Sequence, residues 1–283
     1  MAYIDTYRAQ FGVEPICTTL QVAPSTYHAA KTRPSSLRSR TDEATTEKIR
    51  PVHADNHGVD GVRKVHAELN RQGHRVARCT VHRLMRRAGL RGITRGKNPR
   101  TTVPGSVPDT RPDLVERAFV ADAPNRLWVA DITYIRTFAG WVYAAFVIDV
   151  FSRRVVGWQV SKSLRTDLAL DALEMAVGNR AHVGRSVDGL VHHSDRGVRY
   201  LAVRSTQRLA EAFHSLFKAE LIRNRGRWKN LDEVEIAVAE YVDWFNHRRL
   251  HGEIGLVPPA EFEDDFYQYE SASAEVEALV PSL

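Results

Sequence analysis

Leu127-Trp128-Val129-Ala130-Asp131-Ile132-Thr133-Tyr134-Ile135 places one carboxylate inside a run of uncharged, mostly β-branched and aromatic residues. That composition favours a strand. A carboxylate in so apolar a run must be paired, hydrogen-bonded or metal-bound, because an isolated buried charge is very costly. A hydrogen bond at a sheet edge is the plainest alternative to a functional site. Two further runs, 140–150 and 154–160, follow closely and complete a three-stranded meander. Over 166–180, Leu168, Leu170, Leu173, Ala176 and Val177 recur at helical spacing, and 190–193 reads as a short strand. A second clear helix covers 231–251, with Val234, Val238, Tyr241 and Phe245 on one stripe. Three strands, a helix, a strand and further helices make the fold class α/β.

Two more carboxylates accompany Asp131. Asp195 closes the short strand in His193-Ser194-Asp195-Arg196-Gly197, where a side chain faces the crevice in which ligands gather in α/β sheets. An Asx-turn before Gly197 is the competing reading. Glu211 lies on the helical pattern Leu209-Ala210-Glu211-Ala212-Phe213-His214-Ser215-Leu216-Phe217-Lys218. A single helix from about 205 to 222 is expected, with Leu209, Phe213, Leu216 and Phe217 inward. Two carboxylates at strand positions and a third on a helix can clamp two divalent ions for phosphoryl transfer. Glu220, nine residues past Glu211, points to the opposite helix face and cannot share that role. Asp149 is expected to fix the turn after the second strand and to pair with Arg153 or Arg154. His192 and His193 support the strand end, since no nearby Cys or third His completes a zinc set.

The rest of the chain carries a charge split. Its net +6 divides into +10 over residues 1–110 and −4 beyond, so the first half is suited to a polyanion. Between 58 and 100 lie twelve Lys or Arg against only Asp60 and Glu68. There Val62, Val65, Ala67 and Leu69 form one amphipathic segment, Gly73 breaks it, and 80–88 forms a second, ended by Gly89: a helix-turn-helix. Arg83, Arg86 and Arg87 follow Thr80, where a recognition helix presents cations to DNA; a helical hairpin packed on the other domain is the alternative. Residues 1–57 read as an N-terminal extension with a Ser/Arg/Thr-rich connector over 32–46, 58–94 as the DNA-binding region, and 95–113 as a linker. The α/β core spans 114–266 and a tail 267–283. Lys218, Asn246, Arg248 and Arg249, the latter three in Trp244-Phe245-Asn246-His247-Arg248-Arg249-Leu250-His251, suit phosphate contact and stacking. A helix end with dipole-stabilising cations is the alternative for that cluster. Cys17 and Cys79 have no Cys-x-x-Cys partner, no apolar run is long enough to span a membrane, and the start lacks a signal-peptide pattern. A reduced cytoplasmic setting follows as the expectation.

The tracts around Asp131, Asp195, Glu211 and Trp244, with Pro258-Pro259-Ala260-Glu261-Phe262 after them, resemble the OrfB transposases of the insertion-sequence-three family. That family belongs to the DDE transposase and retroviral integrase superfamily. The resemblance implies a ribonuclease-H-like integrase core preceded by a small all-α helix-turn-helix region. It implies Asp131 and Asp195 as catalytic and metal-binding residues with two Mg²⁺ or Mn²⁺ ions, and Glu211 as either the third such carboxylate or the non-catalytic Glu of an earlier helix. It also implies double-stranded DNA at element ends and target, a homo-oligomer on DNA, an OrfA partner or fusion, and a place at the bacterial nucleoid. One departure stands out. Only 16 positions separate Asp195 from Glu211, about half the interval of the family motif, although Lys218 keeps its place seven residues after the Glu. Family members carry two similar Leu-Ala-Glu tracts with a strand and turn between them; here 208–212 runs straight into 213–218. A lost segment, including the fifth strand of the sheet, is the expectation, and with it impaired strand transfer. A DNA-binding remnant or inhibitor, and a metal-dependent nuclease, are the alternative functions.

Overall fold

The structure, a computed structural model, describes residues 1–94, 121–194 and 204–279. The linker expected over 95–113 and the residue Asp195 lie outside the described residues. The chain divides into two compact units, Met1–Lys48 and Ile49–Leu283.

In the first unit, α1 (Ala2–Phe11), α2 (Val13–Thr19) and α3 (Pro24–Thr32) enclose a small core of Ile4, Ile16, Cys17 and Tyr27. Tyr27 donates from its hydroxyl to Asp5 at 2.9 Å, and Lys31 pairs with the same carboxylate. The connector expected over 32–46 is instead helical from Leu37 onward, in α4 (Leu37–Asp55). Its Thr residues satisfy their hydroxyls on carbonyls one turn back, as Thr41 on Leu37 and Thr45 on Thr41 do. Polar composition there made a solvated helix rather than a loop.

The second unit begins with the end of α4, then α5 (Val62–Arg71) and α6 (Arg78–Arg87), which share a core of Ile49, Val52, Val65, Leu69, Val81, Leu84 and Met85. Gly73, in the turn between α5 and α6, has φ 80, a backbone region open to glycine at little cost. The core follows: β1 (Leu127–Thr137), β2 (Gly140–Asp149), β3 (Val155–Ser161), α7 (Thr166–His182), β4 (Val191–Ser194), α8 (Arg204–Phe217), a π-helical turn (Lys218–Ile222), α9 (Arg223–Arg225), α10 (Leu231–His247), a 3₁₀ turn (Gly252–Ile254) and α11 (Pro259–Leu279). The four described strands run in the order β3-β2-β1-β4, antiparallel except for the parallel β1–β4 pair. The expected meander, crossover helix and short strand are all present. The helix expected over 231–251 stops at His247, and α11 runs through the 266/267 boundary without a break.

Alternation along β1 sends its two faces to two cores. Leu127, Val129 and Ile135 join Phe146, Phe213, Phe217 and Tyr241 on the side covered by α8 and α10. Trp128 joins Ala145, Val147, Leu168, Ala172 and Ala176 on the side covered by α7. Gly157 of β3 lets α7 sit close: a Cβ there would fall 2.2 Å from the Ala172 carbonyl oxygen. The helix-turn-helix region docks on this core. Trp244 donates from Nε1 to Asn56 at 3.1 Å, and Arg71 grips Glu261 through both guanidinium nitrogens. Val59 enters the larger core cluster.

Candidate active site

Asp131 sits on the α8 side of β1, its side chain 30% exposed. One carboxylate oxygen accepts the N–H of Ile132 at 2.8 Å; the other lies 2.9 Å from Nδ1 of His214 on α8. The last described pair of the β1–β4 ladder, Ala130 opposite Ser194, comes just before it. Asp195 is one peptide bond beyond Ser194 in sequence.

Helix α8 forms as expected and continues through the π turn to Ile222. Phe213 and Phe217 are buried against Phe146, with ring centroids 4.9 Å away in each case. That packing fixes the other face of the helix. Glu211, His214 and Lys218 lie at i, i+3 and i+7, one stripe of an α-helix. His214 meets Asp131, and the Lys218 ammonium stands 4.9 Å from the centre of the Tyr134 ring. Glu211 is exposed at the start of that stripe, one turn before His214. Nε2 of His214 is buried and without a hydrogen-bond partner among the described residues. His214 escaped the sequence reading, although its spacing from Glu211 and Lys218 would have placed it on their face.

Glu220 turns the other way. It is 7% exposed, accepts from Arg249 through Nε and Nη2, and takes the Tyr241 hydroxyl at 3.1 Å. The π turn that begins at Lys218 adds a residue to the coil and helps bring Glu220 inward. Burial, which would lower the Arg249 pKa, is outweighed by Glu220, so the guanidinium stays charged with its pKa raised.

This pairing corrects the reading of the C-terminal cluster. Arg249 is 5% exposed and bound to Glu220. Asn246 is equally buried, with its amide spent on Val155: its oxygen accepts the N–H at 2.9 Å and its nitrogen donates to the carbonyl at 2.8 Å. Both hold the fold, while Arg248 is exposed. Asp149 fixes the turn after β2, but its carboxylate takes neither Arg153 nor Arg154, which meet it only through backbone hydrogen bonds at 2.9 Å. It is fully buried and accepts from the N–H groups of Asn125 and Ser152, the Ser152 hydroxyl and Trp128 Nε1. Arg154 instead joins Arg180 on Glu263. Enclosure raises the Asp149 carboxyl pKa, with the two backbone donors opposing.

Arg83, Arg86 and Arg87 are exposed on α6, whose buried face is Val81, Leu84 and Met85. An open groove beside them is lined by Val62, Arg63, Arg78, Cys79 and His82. Among the described residues no set of three or more His, Cys, Asp or Glu converges as a metal site, and no helix is long and apolar enough to cross a membrane.

Asp131 fits a hard divalent ion in its donor chemistry: a partly exposed carboxylate whose oxygens keep lone pairs beyond those engaged by the Ile132 N–H and the His214 imidazole.

Comparison with known proteins adds the following. An integrase core domain family matches residues 121–217, a second integrase core family matches 211–265, and an HTH-like domain family matches 40–98. The segment 211–217 is thus claimed by both core families. The transposase for insertion sequence element IS629 of Shigella sonnei is 44% identical over 292 residues, covering 94% of this chain and 96% of that one. The transposase for insertion sequence element IS3411 of Escherichia coli is 47% identical over 192 residues, 66% of this chain and 80% of that one. Transposase InsF for insertion sequence IS3A of Escherichia coli strain K12 is 29% identical over 93% of this chain and 97% of its own length. The 292 positions aligned with the Shigella sonnei protein outnumber the 283 residues here, so that relative has residues with no counterpart in this chain.

Proposed function

This chain belongs to the insertion-sequence transposases that carry an integrase core, and we propose that its site is built to cleave and join DNA strands by metal-assisted phosphoryl transfer at Asp131, Asp195 and Glu211. One observation carries the reading: α8 lies against β1 with His214 on Asp131, one helical turn beyond Glu211. Asp195 follows Ser194, whose register partner Ala130 precedes Asp131. Asp131 and Asp195 would hold divalent ions, with Glu211 as the third carboxylate. Such ions, when bound, activate the attacking hydroxyl and stabilise the leaving oxygen of an in-line displacement. The chain's own part is to position: Asp131 is held by a backbone N–H and an imidazole, and Lys218, on the same helix stripe, would meet phosphate. The HTH-like region, with Arg83, Arg86, Arg87 and exposed Arg248, would hold duplex DNA through its phosphates.

The shortened interval between Asp195 and Glu211 leaves strand joining severely impaired. Glu211 is exposed, and a catalytic group displaced by ~1 Å can cost about 10²-fold. A catalytically dead DNA-binding protein is the second reading, favoured by the engagement of Asp131 with His214. Joining of labelled element-end DNA, with Mg²⁺ or Mn²⁺, separates the two. Little or no joining by this chain, restored by inserting a family-like segment between Ala212 and Phe213, is the expected result. Robust joining abolished by Glu211→Gln would overturn the impairment. Calorimetry then tests the metal site: divalent binding unchanged in Asp131→Asn would reject it.

A further inference from the structure

Beyond the reach of α7, the even-numbered face of the β1–β2 hairpin stays uncovered among the described residues. Tyr134, Arg136 and Phe138 of this face are exposed while Thr133, Ile135 and Thr137 between them are buried. Trp141 stands opposite Arg136 in the ladder and is also exposed. Phe138, in the turn after β1, is 72% exposed, and with Tyr134 and Trp141 it puts three exposed rings on one hairpin, a grouping of the kind that marks an interaction surface. The Arg136 guanidinium lies 4.9 Å from the centre of the Trp141 ring, and Lys218 stands at the same distance from Tyr134. Tyr134 and Trp141 meet edge to face at 5.6 Å.

The hairpin tip is tied to a basic loop. The N–H groups of Phe138 and Ala139 donate to the carbonyls of Trp228 and Lys229 at 3.1 and 3.0 Å. That segment, Arg223-Asn224-Arg225-Gly226-Arg227-Trp228-Lys229, carries four exposed cations, of which Arg225 pairs with Glu240 and Lys229 with Glu233. No Asp or Glu occurs over 132–148 or 221–231. Exposed rings interleaved with cations, in stretches free of acid, suit a strand whose bases stack and whose phosphates are neutralised. A duplex keeps its base faces sealed inside, so the rings need unpaired bases.

We propose that Tyr134, Phe138 and Trp141, with Arg136, Lys218 and the 223–229 loop, form a surface that stacks on unpaired bases of a DNA strand entering the candidate active site. Tyr134, Arg136 and Trp141 lie on the face of the sheet opposite Asp131, and Lys218, which shares the α8 stripe with His214 and Glu211 and reaches the Tyr134 ring, joins this surface to the site. The assignment of the strand to a reacting DNA end rests on the function proposed above; the binding itself does not. Each base stacked on an aromatic ring adds roughly tenfold in affinity, and the preference tolerates sequence.

The test uses the full chain in EDTA, so that metal chemistry plays no part. Fluorescence anisotropy would compare a blunt duplex with the same duplex bearing a short single-stranded overhang. The overhang is expected to bind more tightly, and Phe138→Ala/Trp141→Ala to lose that preference by about tenfold or more while blunt-duplex affinity stays within about twofold. Trp141→Phe should keep most of the preference, and thermal melts should confirm that the variants fold. An unchanged overhang preference, or an equal loss on both probes, overturns the proposal. So does a change of oligomeric state on sedimentation with DNA binding intact, which would make the patch a protein interface. Asp131→Asn should retain the overhang preference; a failed metal site with an intact preference sinks the catalytic reading and leaves this surface standing.

Discussion

At one end of the helical stretch 204–222, Glu211 is exposed beside the half-buried Asp131–His214 pair; at the other, Glu220 is enclosed by Arg249 and Tyr241. The two carboxylates sit nine residues apart on one continuous coil. Glu220 and Arg249 are paired with each other, and Asn246 and Asp149 in the core likewise satisfy polar atoms on backbone groups. Around Asp131 the pairing among the described residues is sparser, with Nε2 of His214 buried and without a partner among them. Dense pairing builds stability and sparse pairing leaves room for a ligand, so the first region should govern folding and the second chemistry.

Mutations can break that division. The largest effect is expected from Glu220→Ala, which strands the buried Arg249 charge and should cost about 3–5 kcal/mol in urea unfolding. A loss under about 1 kcal/mol would mean that the Arg249 charge reaches water and the region is looser than its hydrogen bonds imply. Next comes Asn246→Ala, which leaves the N–H and carbonyl of Val155 unpaired in the core. About 1–3 kcal/mol should be lost, with DNA affinity of the folded protein unchanged. Arg248→Ala should do the reverse, weakening DNA binding and flattening its salt dependence while the unfolding midpoint stays put.

A smaller effect concerns pH. Burial lowers the His251 pKa well below its ordinary value, reinforced by the Arg249, Lys64 and Arg153 charges and opposed by a backbone bond to Phe245. The unfolded chain takes up that proton near pH 6.5 while the folded protein does not. Stability from this residue is complete above about pH 6.5 and declines as pH falls below it. Wild type should therefore lose more thermal stability between pH 7.5 and 5.5 than His251→Gln, as melting curves at the two pH values would show. A parallel decline in both proteins would place the titration elsewhere. Smallest of all should be Glu211→Gln, whose unfolding curve should overlay that of the wild type. A marked destabilisation would show that Glu211 belongs to the structural region after all.

Much of this could be read from the chain. Period-two and period-3.6 patterns gave β1 to β4, α7, α10 and the helix-turn-helix, since burial on one face imposes those periods. Composition misled over 32–46, where hydroxyl side chains bond within a solvated helix. The motif around Trp244 marked a cluster correctly but not its direction, because a cation or amide reads the same whether it meets DNA or Glu220 and Val155.

By itself the sequence determined the family, the order of elements and the carboxylates available, because these depend on residue types and local spacing. Only the tertiary structure decided which polar groups became internal ties. Arg249, Asn246 and Asp149 were taken inward by partners 29, 91 and 24 residues away, and His214 was brought to Asp131 across 83. Such pairings follow from how β1, α8 and α10 stack, and the energetic penalty on unpaired buried polar groups selects them. No local pattern encodes that stacking.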